Sequence, residues 1–164
     1  MEKQKQAPRA VFHVNEHGED AYFRVNRPLE LLDAALDVCV HNAIKKDSPH
    51  LRFKDYYAGA KPCAESDFDR AVSERLENTG TVSGAFEIDF DRGEFSALHI
   101  MDGWKSFRME DVGRAMQKVA ETGGLDRDKL YRVLMGQLDG KELRHALAAC
   151  SVLRTLLQRR SNHP

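Results

Sequence analysis

Apolar and polar residues alternate in two places along this chain, each time around a glycine. The first run is Val11-Phe12-His13-Val14-Asn15, then Gly18-Glu19, then Phe23-Arg24-Val25. The second is Ala85-Phe86-Glu87-Ile88-Asp89, then Gly93-Glu94, then Leu98-His99-Ile100. A period of two marks strands with one buried face, so each run reads as a β-hairpin. His17-Gly18 suits the two-residue turn of the first, because glycine supplies positive φ without steric cost. That register faces Phe12 with Phe23 and Val14 with Ala21, and leaves His13, Tyr22 and Arg24 on the other face. In the second hairpin a three-residue turn, Asp91-Arg92-Gly93, predicts Phe86, Ile88, Phe90, Leu98 and Ile100 on one face. Glu87, Asp89, Phe95, Ala97 and His99 then share the other.

Between and after the hairpins the apolar period lengthens to that of a helix. Leu29, Leu32, Leu36 and Cys39 follow Pro28, a residue suited to a first helical position. This helix is expected to end near Lys45-Lys46, ahead of Pro49. Ser66 reads as the cap of a short stripe of Phe68, Ala71, Val72 and Leu76. Asp102-Gly103-Trp104-Lys105 reads as a connector. Ser106 then caps a helix carrying Met109, Val112, Met116 and Val119, ended by Gly123-Gly124. Asp126 caps a further helix, and Asp139 with Glu142 forms a capping box for a last one bearing Leu143, Leu147, Cys150, Leu153 and Leu157.

These elements predict an α+β fold: two β-hairpins forming a small antiparallel sheet, each followed by an amphipathic helix, plus a helical C-terminal region. Residues 1–9 are polar and expected to be a disordered N-terminus. Residues 10–160 are expected to form a single domain, with a helical hairpin over 126–160. The two β-β-helix units also overlay residue on residue, Phe12, Val14 and Phe23 on Phe86, Ile88 and Leu98, as a duplication of 10–46 and 82–122 would.

Composition narrows the functional classes. Of 164 residues, 41% are hydrophobic and 31% charged, with a formal net charge of −1. A near-neutral chain has no overall field to attract nucleic acid or an anionic membrane, so any basic surface must be local. The three cysteines, Cys39, Cys63 and Cys150, are scattered and odd in number, which makes no disulfide framework. No signal-like or membrane-spanning apolar run appears, and the expected location is cytoplasmic. No phosphate loop, nucleophile elbow or zinc-ligand spacing occurs, so neither a cofactor nor a metal is expected.

Three features carry candidate chemistry. His99 shares its predicted face with Glu87 and Asp89, an arrangement able to tune an imidazole for acid–base work. The stretch from His50 to Lys61 interleaves Arg52, Phe53, Lys54, Tyr56 and Tyr57, a mixture suited to core packing, to a protein contact or to stacking on bases. Trp104 and Phe107 form a second aromatic spot. The leading expectation is a non-enzymatic interaction module that binds and modulates, or inhibits, a protein or nucleoprotein complex. Its contact residues would be Arg52, Phe53, Lys54, Tyr56, Tyr57, Lys61, Tyr22, Arg24 and Trp104. One alternative is a small hydrolase or nuclease using His99, Glu87 and Asp89. Another is direct binding of RNA or single-stranded DNA. The apolar stripe of the last helix also offers a homodimer seam. If the hairpins share one sheet, the mildly basic free face of the first lies beside the acidic free face of the second.

Overall fold

The structure, a computed structural model, describes residues 10–44, 51–58, 60–77, 84–99, 103–122 and 125–161. The N-terminus 1–9, Lys45-Lys46, Pro49, His50, the stop at 78–80, Ile100, Asp102 and Gly123-Gly124 lie outside the described residues, as do the side chains of Arg159 and Arg160.

The elements run β1 (Ala10–Glu16), β2 (Glu19–Val25), α1 (Pro28–Ile44), α2 (Phe53–Tyr56), β3 (Lys61–Pro62), α3 (Glu65–Glu77), β4 (Gly84–Asp89), β5 (Glu94–His99), β6 (Gly103–Arg108), α4 (Met109–Thr122), α5 (Arg127–Leu134), α6 (Gly140–Ala149) and α7 (Ser151–Ser161). The α+β fold is as expected, but the sheet is larger and mixed. Among the described residues six strands lie in the order β3-β2-β1-β4-β5-β6. The hairpins meet through their first strands, β1 and β4, which pair in parallel; the remaining ladders are antiparallel. Parallel neighbours need a crossover, and the stretch holding α1, α2 and α3 supplies it.

The first hairpin keeps the predicted register, with Phe12 opposite Phe23 and Val14 opposite Ala21. His17 and Gly18 both have positive φ, as a tight hairpin turn requires. The second hairpin does not keep its register. Its turn is one residue longer, so Asp89 pairs with Glu94 and Ile88 with Phe95. A shift of one residue moves every side chain of β5 to the opposite face. Phe95 and Ala97 therefore join Phe86 and Ile88 in the core, whereas Leu98 turns away from it.

One face of the sheet carries the main core. Phe12, Phe86, Phe95 and Phe107 form an aromatic row across β1, β4, β5 and β6, with successive ring centroids 4.8, 6.2 and 6.3 Å apart. Helices α1, α4, α5, α6 and α7 contribute Leu32, Val112, Leu130, Ala146 and Leu153 to the same cluster. The opposite face is half covered. Helix α3 lays Phe68 and Ala71 on Val11, Ala85 and Leu98, a second small apolar cluster. Among the described residues only one end of the strands is shielded in this way.

The two hairpins have their first strands parallel, their second strands on opposite sides and their core residues on one face. No rotation superposes units related like that, which is the relation of mirror images. The overlay of Phe12 and Val14 on Phe86 and Ile88 instead reproduces the direct pairing register of β1 and β4. The C-terminal region also differs from a helical hairpin. Asp126 and Asp139 cap α5 and α6 as expected, but Cys150 is extended, with φ −139° and ψ 104°, and divides the last stripe into α6 and α7. Each half then turns its own residues inward, Ala146 from α6 and Leu153 with Leu156 from α7. No helix among the described residues is long and apolar enough to cross a membrane.

Candidate functional site on the open sheet face

Beyond the edge of α3, two rows of side chains cross the uncovered half of the sheet. Register fixes both. The inner row is Tyr22, His13, Glu87, Ser96 and Ser106, one residue each from β2, β1, β4, β5 and β6. The outer row is Asp20, Asn15, Asp89, Glu94 and Arg108. They border a cleft of about 290 Å³ lined by His13, Asn15, Glu87, Asp89, Arg92, Glu94, Ser96 and Ser106. The open faces of the two hairpins meet at the parallel β1–β4 pair, but the first is not basic: Asp20 stands against His13, and Arg24 pairs with Asp67.

His13 sits at that junction. Its Nδ1 lies 3.0 Å from Glu87 Oε2 and its Nε2 2.8 Å from Asp20 Oδ1. The ring stacks on Tyr22 with centroids 4.8 Å apart, and Phe68 of α3 approaches to 5.9 Å. Two carboxylate acceptors ask both ring nitrogens to donate, which only the imidazolium does. Burial on its own would lower the His13 pKa. The hydrogen bonds and charges of Glu87 and Asp20 together outweigh that and raise it above the ordinary 6.5.

The raised value has a consequence for stability. The folded protein holds this proton more tightly than the unfolded chain does. The stabilisation is therefore complete below about pH 6.5 and is lost as pH rises through the higher folded value. Urea unfolding of the wild type and His13→Gln at pH 6 and pH 9 is expected to show the wild-type advantage shrinking at pH 9. An advantage that is unchanged or grows would contradict the raised pKa.

The rest of the cleft is rich in acceptors. Asn15 Oδ1 is buried and has no hydrogen-bond partner among the described residues. Ser96 and Ser106 bond to each other through their hydroxyls at 2.7 Å. Asp89 accepts from the Arg92 backbone N–H at 3.0 Å, and Glu94 makes no ion pair among the described residues. Asp91 holds the rim together: its carboxylate accepts from the N–H groups of His17 and Gly18, both at 2.9 Å, and so ties one hairpin turn to the other. No group of three or more His, Cys, Asp or Glu side chains among the described residues is placed to hold a metal ion.

The predicted site residues divide sharply. Glu87 and Asp89 line the cleft, but His99 does not join them. The one-residue shift sends it to the helical face, where its Nε2 lies 2.9 Å from the Leu134 carbonyl oxygen. The His99/Glu87/Asp89 constellation is thus divided by the sheet, and His13 is the histidine beside Glu87. The loop candidates are largely engaged within the protein. Phe53 is buried, near Phe90 and Tyr57, and its N–H donates to the buried Glu16 carboxylate at 2.7 Å. Arg52 and Lys54 both reach Glu19, at 2.9 and 3.7 Å. The Tyr56 hydroxyl donates to Asp37 at 3.2 Å, and Arg24 pairs with Asp67 at 3.5 Å. Tyr57 is half-buried, and burial together with the Glu30 charge raises its pKa. Lys61 is exposed on the short strand β3. Tyr22 belongs to the inner row, and Trp104 stands at the margin of α3, 6.2 Å from Phe68.

Asn15, Glu94, Ser96 and Ser106 escape a reading of the sequence alone. The misplaced register hides Glu94 and Ser96, and Ser106 resembles a helix cap. Burial, with the nearby Glu16 charge, pushes the Cys39 thiol up to about 11. No family model, curated protein or solved structure matches the chain.

Proposed function

We propose that this protein is a non-enzymatic binding module whose open sheet face receives a basic side chain, arginine or lysine, of a partner protein. The observation that carries this reading is the chemistry of the cleft. Glu87, Asp89 and Glu94 line it against one arginine, Arg92; Asn15 Oδ1 has no donor among the described residues, and His13 is already held by two carboxylates. Such a surface wants donors and positive charge, which a guanidinium supplies in a fixed planar fork.

Two alternatives lose their motivating residues. A hydrolase or nuclease through His99 lacks the histidine on the acidic face, and both nitrogens of His13 are committed to carboxylates. Nucleic acid would meet an acidic sheet, and the loop cations Arg52 and Lys54 are paired with Glu19.

The test is a titration with Nα-acetyl-arginine amide, followed by amide ¹H–¹⁵N shifts. Saturable shifts at Asn15, Asp89 and Ser96 are expected, with a dissociation constant of order millimolar for so small a fragment. They should weaken with salt and vanish in the double variant Asp89→Asn, Glu94→Gln. Nα-acetyl-glutamine amide should give none. Shifts that never saturate, or displacement of the arginine fragment by a single-stranded oligonucleotide, would overturn the proposal.

A further inference from the structure

The two edges of the sheet are unequal. One edge is β3, only two residues long, and Pro62 within it has no N–H to offer. A short, proline-bearing strand is how proteins blunt an edge. The other edge is β6, a full six residues, Gly103–Arg108. The Met109 N–H donates to the Gly93 carbonyl at 2.7 Å, in register with the β5–β6 ladder. Alternation from that bond points the backbone groups of Phe107, Lys105 and Gly103 toward β5. Those of Arg108, Ser106 and Trp104 point away from the sheet, and no partner for them occurs among the described residues.

The outward residues match one another. Pairing β6 antiparallel to a second β6 about Ser106 sets Ser106 against its own copy and Trp104 against Arg108 of the other chain. Trp104 is 41% exposed although Phe68 lies beside it. Arg108 is exposed and makes no ion pair among the described residues. An arginine opposite a tryptophan on one sheet face makes a cation–π contact, and a two-fold axis makes it twice. The axis keeps like charges apart, because each arginine faces an aromatic ring.

We propose that two copies of this chain join β6 to β6 about Ser106, continuing one sheet through both. A two-fold axis perpendicular to the sheet leaves both open faces on the same side. Ser106 lines the acceptor-rich cleft of each copy, so the dimer presents the two clefts side by side. A partner with two basic side chains would then meet both.

The test is sedimentation equilibrium of the full chain with Ser106→Ala, Ser106→Pro and Arg108→Glu. The wild type is expected to be dimeric at tens of micromolar. Ser106→Ala keeps the outward N–H and should dimerise alike. Ser106→Pro removes an N–H that β5 does not use, and Arg108→Glu removes the cation over Trp104; each should weaken the dimer at least tenfold. A wild type that stays monomeric at millimolar concentration, or a dimer that neither Ser106→Pro nor Arg108→Glu weakens, would overturn the proposal. Should Ser106→Pro fail to fold, Arg108→Glu and hydrogen exchange decide. The amides of Trp104, Ser106 and Arg108 should gain protection as wild-type concentration rises, and exchange independent of concentration would refute the pairing.

Discussion

Phe86→Ala is expected to lower the unfolding free energy by about 3–5 kcal/mol, the range for truncating a fully buried aromatic. Phe86 is 0% exposed and stands in the middle of the aromatic row, 4.8 Å from Phe12 and 6.2 Å from Phe95. It also folds back along its own strand. A Cβ placed on Gly84 would lie 2.3 Å from the tip of the Phe86 ring, so the ring occupies the space a side chain at 84 would fill. Truncation therefore opens a void that paired strands on both sides prevent from collapsing. Urea unfolding should show a lower midpoint at an unchanged slope, with Phe86→Leu costing less. A loss below about 1 kcal/mol would mean that the row is not the centre of the core.

Residues in that row show why one hairpin can be read from sequence and the other cannot. At the first, a two-residue turn leaves a single register, and His17-Gly18 supplies the backbone conformation it needs. At the second, apolar residues fall on both faces of β5. Phe95 and Ala97 face the main core, and Leu98 faces α3. A strand covered on both sides loses the alternation that would report its register. The deciding contacts are distant or local to the turn: the Asn15 backbone carbonyl accepts from the Phe90 N–H at 2.8 Å, and the Asp89 carboxylate accepts from the Arg92 N–H. Neither stands out in the sequence.

The candidate site inherits that ambiguity. Glu87, Asp89 and the free face of the first hairpin were legible because β1, β2 and β4 follow plain alternation. The companion histidine depends on which strands become neighbours, and the parallel register of His13 with Glu87 has no local signal. Strand β6 also alternates, Trp104 and Ser106 on one face and Phe107 on the other. Its serine just ahead of a helix resembles a cap, yet its hydroxyl bonds across the ladder to Ser96. The basic and aromatic loop shows the opposite failure. Its composition resembles a contact surface, but Glu19, Asp37 and the buried Glu16 engage it from within. Charge in a sequence is visible; the partner that cancels it is not.

Leu153→Ala is expected to cost about 2–5 kcal/mol without altering self-association. The apolar stripe that contains it predicts either core or a dimer seam, and the two make different demands. Leu153 is 0% exposed, Leu156 is buried beside it in the same cluster, and α7 packs on α4 and β6. Arg154 braces the bend by donating to the Leu147 carbonyl at 3.0 Å, which fixes how α7 leaves α6. A core leucine destabilises the chain by the same amount at every protein concentration when it is removed. A seam leucine would leave the monomer's stability intact and raise the dimer dissociation constant instead. Urea unfolding at two concentrations tenfold apart, with sedimentation in parallel, separates these outcomes. An equal loss at both concentrations places the stripe in the fold and leaves β6 as the self-complementary surface. A dissociation constant raised by Leu153→Ala would instead return the last helix to the interface.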